Sequence, residues 1–395
     1  MYDVIVVGGG PTGSQVACKL AGMGHRVVVI EQKKDLTGPV CCTGIVGQEC
    51  VKSFAIDDGV IFRRLNSGSV FAPSGKHLRL WRPEPQACIL DRAAFNASMA
   101  SRAQGRGVEY IWNSPVKSLE IGSDRAWLKV DIQGREPEVL QAQALVIAAG
   151  SASRLTEGMG LGRASDFAMA VQAEVETTCI DEAEVYLGRD IAPGFFAWLV
   201  PTSPARALVG LMSRRSPGSY LRGLLSSLYA RGRIASAEVE MSYGVVALRP
   251  LARTYGDRLV VVGSAAGQVK PTTGGGIYYG LLCADIAAGV LHEALERDTL
   301  SARDLAAYEK AWKRALGWEL KVGYWARRLY EALGDRQLDR IFDIISEDGM
   351  LDALVQTEDL SFDWHASAVL KLLGHHALSG VIKATRLPLP VKGRQ

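Results

Sequence analysis

Two rhythms of apolar and polar positions run along the chain. Residues 3–7, Asp3-Val4-Ile5-Val6-Val7, and residues 27–30 are short β-branched runs, each bounded by glycine or charge. Unbroken runs of this kind suit strands buried on both faces. Between them, Val16, Ala17 and Leu20 recur at helical spacing within Ser14 to Gly22. The order strand, turn, helix, strand predicts a parallel sheet. Residues 57–82 read as short strands and turns, punctuated by Gly59, Gly68 and Pro73-Ser74-Gly75. A helix is predicted over Asp91 to Ala103, and a strand over Trp127 to Ile132 after the turn at Gly122-Ser123-Asp124. Ala144 to Gly150 is another buried-strand run, closed by glycine.

From about residue 165 to 249 the pattern is mainly that of strands, broken by one helix around Tyr220 to Tyr229. Leu259-Val260-Val261-Val262-Gly263 restores the buried parallel signature, and after Gly280 the pattern turns helical and stays so from about 301. The expected class is α/β, α+β overall. A Rossmann-type nucleotide domain is predicted from residues 1–56, 83–164 and 250–300. An antiparallel-sheet substrate domain, 57–82 and 165–249, is inserted into it, and 301–395 form a C-terminal helical region.

Composition changes this picture little. With 395 residues, 48% hydrophobic and 22% charged, the chain is globular and long enough for two or three packed units. A net charge of +3 lacks the basic excess of a nucleic-acid binder, so no nucleic acid is expected as a partner. No apolar run approaches the ~18 residues of a membrane span, and the N-terminus opens on a strand rather than a signal peptide. A cytoplasmic location is therefore expected. Seven cysteines at irregular spacings make no disulfide framework and no zinc pattern. His375 and His376 are adjacent, so on a helix they point apart, and no metal site is expected.

Gly8-Gly9-Gly10-Pro11-Thr12-Gly13 satisfies G-x-G-x-x-G after a strand and before a helix. Gly8 serves the tight turn, Gly10 lets backbone approach a pyrophosphate, and Gly13 allows close helix–strand packing. The N-terminus of the following helix favours negative charge, and Pro11 and Thr12 of the loop are expected at the cofactor. Glu31, with Gln32 beside it, closes the second strand about 20 residues on, where an acid accepts ribose hydroxyls. The fingerprint serves NAD and FAD alike. A second glycine-rich segment points to FAD: Gly263-Ser264-Ala265-Ala266-Gly267, then Pro271-Thr272-Thr273-Gly274-Gly275-Gly276-Ile277. Small residues there let the chain pass a flat cofactor, and the following helix aims its N-terminus at the reduced ring.

With these segments in place, the sequence resembles the geranylgeranyl reductase family of flavoproteins, within the p-hydroxybenzoate-hydroxylase-like superfamily. The resemblance covers roughly residues 1–300 and, more loosely, the helical tail. Leu90-Asp91-Arg92-Ala93-Ala94-Phe95 looks like the family's D-R-x-x-F segment, which implies that Arg92 lies along FAD. Val116, in Ser114-Pro115-Val116, matches a backbone contact to adenine. Pro39-Val40-Cys41-Cys42-Thr43-Gly44-Ile45 resembles the cysteine loop beside the isoalloxazine, with Cys42 or Cys41 as the counterpart cysteine. Pro193-Gly194-Phe195-Phe196-Ala197-Trp198-Leu199-Val200-Pro201 resembles the P-x-x-Y-x-W-x-F-P motif of the substrate cavity, which implies substrate roles for Pro193, Phe196 and Trp198. Phe196 replaces the usual tyrosine and Val200 the usual phenylalanine. Ser264 replaces an aspartate that holds the ribityl chain, and Ala149-Gly150-Ser151 lacks the acid of A-D-G.

The resemblance implies an FAD-dependent reductase that saturates double bonds of isoprenoid chains on lipids, prenyl diphosphates or prenylquinones. An isolated alkene offers no carbonyl to take charge, so hydride from flavin N5 must be matched by a proton delivered to the other carbon. Cys42 is the candidate acid or relay, since a thiol of pKa ~8.5 is protonated at neutral pH. Simple flavin contact, loop packing and a Cys41–Cys42 disulfide are the other readings of that residue. Lys270 reads either as a positive charge near the reduced flavin or a lipid phosphate, or as a solvated loop lysine. The tail, with Trp318, Trp325 and the basic stretch Lys321 to Arg328, reads as a peripheral membrane face or as a cover over the cavity. The electron donor is left open between NADPH and ferredoxin. A monooxygenase and an electron-transfer flavoprotein are the competing functions.

Overall fold

The computed structural model describes residues 1–38, 40–132, 136–162, 166–178, 180–347 and 361–374. The chain opens with β1 (Tyr2–Val7), α1 (Pro11–Gly22) and β2 (Val27–Ile30), the strand–helix–strand unit read from the pattern. There follow β3 (Ile45–Gly47), α2 (Gln48–Ser53), β4 (Ile61–Leu65), β5 (Ser67–Phe71), β6 (His77–Trp81) and β7 (Ala87–Leu90). α3 (Arg92–Gln104) begins where Asp91 caps it, its carboxylate accepting from the Ala93 and Ala94 N–H groups at 3.0 Å each. Next come β8 (Glu109–Ile111), β9 (Val116–Ile121), β10 (Ala126–Val130) and β11 (Glu138–Ile147).

β12 (Phe167–Glu176), β13 (Ala183–Tyr186), β14 (Ala197–Ser203) and β15 (Arg206–Ser213) lead to α4 (Pro217–Ala230) and β16 (Ser242–Ala247). β17 (Tyr255–Gly256) and β18 (Leu259–Val261) precede the helices α5 (Ile277–Glu296), α6 (Ala302–Ala332), α7 (Asp335–Glu347) and α8 (Ala366–Gly374). α5 runs to Glu296, with Leu291 and Ala294 continuing its buried face. The tail is not helical throughout: residues 361–365 form a short irregular strap before α8.

Three sheets result. The first has the order β17-β18-β11-β1-β2-β8, with β10 paired to the first half of β11 and β9 to β10. β18, β11, β1, β2 and β8 are parallel. Their continuous apolar runs are buried on both faces, by helices on one side and by β9, β10 and the segments carrying Leu161 and Leu251 on the other. Val16, Ala17 and Leu20 of α1 pack beneath the sheet with Leu281, Ala284 and Ala288 of α5, and Leu305, Tyr308 and Trp312 of α6 close the layer. This is the Rossmann-type arrangement expected of an α/β chain.

The second sheet has the order β16-β12-β15-β14-β13-β5-β6. It is antiparallel as predicted, except that β5 joins β13 in parallel. That exception arises because β5 comes from a remote stretch of sequence rather than from a hairpin partner. Leu221 and Leu225 of α4 seal one face of this sheet. β4 pairs with β7, and β7 with β3, in a third, three-stranded sheet.

Candidate functional site

The chain leaves β1 at Gly8, whose φ of +105° suits glycine alone, and a methyl group there would lie 2.6 Å from the Ala148 carbonyl oxygen. At Gly13 a methyl group would collide with the Gly8 carbonyl oxygen, so strand end and helix start are packed backbone to backbone. Gly10 differs, with no described residue within 4 Å of its Cβ position. Gly10 is also the N-cap of α1, with no side-chain cap and Pro11 in the first turn. The first-turn N–H groups are thereby left for an anion. Thr12 faces the second glycine segment: methyl groups at Gly263 and Gly280 would come within 2.8 and 2.5 Å of its Oγ1.

Glu31 is buried at the end of β2. Its Oε2 accepts from the Gly9 N–H at 2.7 Å and its Oε1 from the Lys33 N–H at 2.9 Å. The carboxylate therefore ties the glycine loop to the strand, and its remaining lone pairs are available to a hydroxyl. Gln32 beside it is exposed. The Ser114 N–H donates to the Glu31 carbonyl at 2.9 Å, which brings the turn leading to Val116 against the same strand end. Arg92, the first residue of α3, has buried Nε and Nη1 atoms without a partner among the described residues. Its guanidinium lies 5.5 Å from the Phe95 ring centre. Gly44, at φ +71°, backs onto it, and a methyl group there would meet the Arg92 Cδ at 3.1 Å. A buried cationic donor without acceptors is costly, so this arrangement fits an anionic or carbonyl-rich ligand. Together with the bare Gly10, it is what FAD requires.

The second glycine segment follows β18. The Gly263 N–H donates to Gln268 Oε1 at 2.7 Å, Gln268 Nε2 to the Tyr308 hydroxyl at 2.9 Å, and that hydroxyl to the Val261 carbonyl at 3.0 Å. Ser264 accepts at its carbonyl from the Ser151 hydroxyl at 3.2 Å, so the two segments lacking an acid touch each other. A methyl group at Gly276, the N-cap of α5, would meet Ser264 Oγ at 3.1 Å. Gly275 and Ile277 flank this cap, which no side chain closes. Gly274 faces Met212 and Val246 of the second sheet. Lys270 is not a solvated loop lysine. It is buried, its Nζ donating to Asp363 Oδ1 at 3.0 Å and to the Phe362 carbonyl at 2.8 Å.

The cysteine loop reaches the second sheet. Gln172 Nε2 donates to the Cys42 carbonyl at 3.5 Å, and Cys41 Cβ and Sγ would lie 3.2 and 3.4 Å from a methyl group at Gly244. The Cys42 Sγ accepts from the Gly44 N–H at 3.4 Å, with Thr43 between them. Both thiols are free, so no disulfide joins Cys41 to Cys42. Burial, then the neighbouring Cys42, pushes the Cys41 thiol up to about 12. Pro39, the first residue of the loop motif, lies outside the described residues.

Ser242, Gln172, Gly210 and Trp198 stand in one row across β16, β12, β15 and β14. The Trp198 indole lies over Gly210, where a methyl group would be 2.5 Å from the ring. Phe196, two residues away and so on the same face, has its ring centre 6.0 Å from that of Trp198. Trp198 Nε1 and Gln172 Oε1 are buried without a partner among the described residues. Pro193 opens the turn before β14, and this turn is clamped by α6: the Arg327 guanidinium donates to the Gly194 carbonyl and lies 3.6 Å from the Phe195 ring centre, and the Tyr330 hydroxyl donates to the Phe195 carbonyl at 2.7 Å. Arg327 is thus a buried residue of the α6–sheet contact, not part of a basic outer face; burial lowers its pKa to about 10.

Several participants escaped the sequence reading. The strap at 361–366 docks on the nucleotide side: Asp363 meets Lys270, Trp364 Nε1 donates to Glu49 Oε2 at 2.6 Å, and His365 Nδ1 lies 2.6 Å from Thr272 Oγ1. Gln172 was passed over because a lone glutamine in a strand carries no motif. His25, His292 and Glu296 meet although 267 residues separate the two histidines. His375 and His376 lie outside the described residues. Two surface grooves, about 270 and 410 Å³, are both lined by Glu176, Arg206 and Ala235, none of them a residue of the site above. No helix among the described residues is long and apolar enough to cross a membrane.

Residues 2–178 match the pyridine nucleotide-disulphide oxidoreductase family. The chain is 33% identical to digeranylgeranylglycerophospholipid reductase 2 of Methanothermobacter thermautotrophicus over 360 residues, 86% of this chain and 90% of that protein. It is 29% identical to the digeranylgeranylglycerophospholipid reductase of Methanocaldococcus jannaschii, over 88% of this chain and 91% of that one. Its fold matches a geranylgeranyl bacteriochlorophyll reductase-like protein from Thermoplasma acidophilum with a TM-score of 0.86 at 24% identity, over 98% of both chains.

Proposed function

The chain belongs to the geranylgeranyl reductase family of FAD-dependent oxidoreductases, and from that premise we propose that it saturates the carbon–carbon double bonds of isoprenoid chains borne by a glycerophospholipid. One observation carries the reading from the family to this site. The Cys42 loop, whose Gly44 backs onto Arg92 on the dinucleotide side, is hydrogen-bonded through Gln172 to the row that holds Trp198. Cofactor side and apolar aromatic wall are therefore joined by one short loop.

In this reading the bare backbone at Gly10, with Gly8, Pro11, Thr12 and Gly13 around it, binds the pyrophosphate at the N-terminus of α1. Glu31 and Gln32 take the ribose, Val116 offers its backbone to the adenine, and Arg92 gives its orphan Nε and Nη1 to the cofactor. Gly263, Ser264, Gly275, Gly276 and Ile277 hold the ring end with Cys41, Cys42, Thr43 and Gly44. When bound, FAD supplies the hydride for alkene reduction. Phe196 and Trp198, with Pro193 at the turn, wall an apolar path that excludes water and orients the chain. Cys42 holds the proton at Sγ that balances the hydride. Cys41 suits this less well, since its Sγ is packed against Gly244.

Electrons reach the cofactor from NADPH or from a ferredoxin-like protein. A lipid substrate also implies a peripheral bilayer contact, for which the exposed Arg328 of α6 is one candidate cation. Retention on anionic vesicles in a sedimentation assay is the expected result for that contact.

The deciding experiment incubates chemically reduced, FAD-loaded protein anaerobically with prenylated glycerophospholipid and follows the product by mass spectrometry. Uptake of hydrogen pairs is expected. No uptake across prenyl glycerophospholipids, prenyl diphosphates and prenylquinones, or an oxygenated product in air, overturns the reading.

A further inference from the structure

α1 and α5 lie side by side and run in the same direction. Their contacts climb both sequences in step. Thr12 faces Gly280, then Gln15 Nε2 donates to Asp285 Oδ1 at 2.6 Å, and Lys19 Nζ pairs with Asp285 Oδ2 at 3.1 Å. Beyond the end of α1, His25 Nε2 lies 2.9 Å from His292 Nδ1. The N-terminal ends of both helices thus meet at the two glycine segments, and their C-terminal ends meet at the histidines. One further residue joins this second meeting point. Glu296, the last residue of α5, is four positions beyond His292 and so on the same helical face. The ligand atoms of His25, His292 and Glu296 all fall within 4.8 Å of one another.

We propose that His25, His292 and Glu296 form a binding site for a borderline divalent metal ion, such as zinc or nickel, that clips the C-terminal ends of α1 and α5 together. The ligand set selects the class of ion: two imidazole nitrogens and one carboxylate suit zinc, nickel or copper, whereas magnesium and calcium prefer oxygen alone. The geometry is close to what coordination needs. Ligands held ~2.0–2.1 Å from a tetrahedral ion stand about 3.3 Å apart, so the two nitrogens need to part by only a few tenths of an ångström. His25 is positioned by backbone, its N–H donating to the Leu20 carbonyl at 3.1 Å just before β2. Half-burial of both imidazoles limits their motion, while the exposed Glu296 leaves an outer position for water.

A hydrogen bond between the two imidazoles accounts for their contact but gives Glu296 no part in it. A cation replaces the shared proton and recruits the carboxylate. It also sits where two helix dipoles end, and each C-terminus carries partial negative charge that favours a cation. α1, at 12 residues, is about 18 Å long, which separates this cluster from the pyrophosphate cradle at its other end. The clip therefore concerns the stability of the nucleotide layer, and its loss leaves the cofactor site formed.

The test uses the full FAD-loaded protein after removal of adventitious metal by chelation. Titration with Zn²⁺, and separately Ni²⁺, is followed by calorimetry and by thermal melting, with Mg²⁺ as a control. One equivalent is expected to bind, raising the melting temperature by several degrees when metal is ~100-fold above Kd, while Mg²⁺ has no effect. His25→Asn or His292→Asn should weaken binding about 100-fold, and Glu296→Gln about 10-fold. Glu296 is exposed, so its variant folds even if a histidine variant does not, and the bound-flavin absorbance reports folding in each. Zinc binding equal to that of the His25→Asn/His292→Asn double variant overturns the proposal, as does unchanged affinity in Glu296→Gln together with either single histidine variant.

Discussion

Lys270 and Asp363 form an ion pair with both side chains almost fully buried, Nζ to Oδ1 3.0 Å, between the middle of the second glycine segment and the strap near the C-terminus. Gly47 completes the pocket, its N–H 3.4 Å from the same Oδ1, and a side chain at Gly47 would collide with Oδ2. The Lys270 stem in turn backs Gly275, where a methyl group would meet its Cε at 3.4 Å. The pair thus fixes the glycine loop from behind.

Breaking a buried pair by removing one partner leaves an uncompensated charge and costs about 3–5 kcal/mol. Lys270→Met is therefore expected to lower the melting temperature sharply. Lys270→Met with Asp363→Leu removes both charges and should recover most of the loss. Melting curves of the two variants decide, and a double variant no more stable than Lys270→Met would refute the account.

The strap also carries a pH dependence. Burial, then the Lys270 ammonium, lowers the His365 imidazole to about 4. The unfolded chain takes up that proton near the ordinary ~6.5. Between these values the unfolded state binds more protons than the folded one, so stability rises with pH. The contribution is complete above about 6.5 and is lost as pH falls toward 4. Melting temperatures measured from pH 7 to 4.5 should fall less steeply in His365→Gln than in the parent. Equal slopes would show that His365 does not report on the strap.

Arg92 offers a test with opposite signs. Its Nε and Nη1 have no hydrogen-bond partner among the described residues. Arg92→Met should leave the cofactor-free protein as stable as before, or slightly more so, because an unpaired buried donor is removed. FAD affinity should fall about 10- to 100-fold, matching the ~1.5–3 kcal/mol of a charge-assisted hydrogen bond. Flavin fluorescence titration and melting of the apoprotein read the two effects separately. Unchanged FAD affinity would detach Arg92 from the cofactor.

How much of this was legible in the sequence depended on separation along the chain. Gly8 to Gly13 and Glu31 are local arrangements, and β-branched runs with glycine punctuation reported them directly. The Trp198 row could be half read, since the aromatics stood in a motif while Gly210 and Gln172 became meaningful only when β14, β15 and β12 aligned. Lys270 was misjudged because its counter-ion lies 93 residues away on an irregular strap without periodicity. Arg327 looked like part of a basic helical face. Only the turn at Pro193, reaching α6 from the other sheet, explains its burial beside Phe195.

The two adjacent cysteines should behave differently. Cys41, held protonated up to about pH 12 by burial, is expected to resist alkylation at pH 8.5 and to tolerate replacement by alanine with little change in turnover. Cys42→Ala should keep FAD and slow alkene reduction in a single-turnover assay. If the rate in Cys42→Ala equals that of the parent, the thiol has no part in proton delivery.

Gly210 is the most specific handle on the aromatic wall. A methyl group there would lie 2.5–2.6 Å from two carbons of the Trp198 indole and 2.6 Å from the Val171 carbonyl oxygen. The indole can move and the backbone of β12 cannot easily do so. Gly210→Ala should therefore displace the ring and destabilise the second sheet by about 1–3 kcal/mol, the usual range for overpacking. Because Gly210 belongs to the sheet and not to the glycine segments, FAD affinity should be unchanged while KM for the isoprenoid rises more than kcat falls. Adding Trp198→Leu makes room for the methyl group and should restore part of the stability, the Val171 contact accounting for the remainder. KM would stay high in that double variant, since the aromatic wall is then gone. A Gly210→Ala protein with parental KM would mean that the indole does not line the path of the chain.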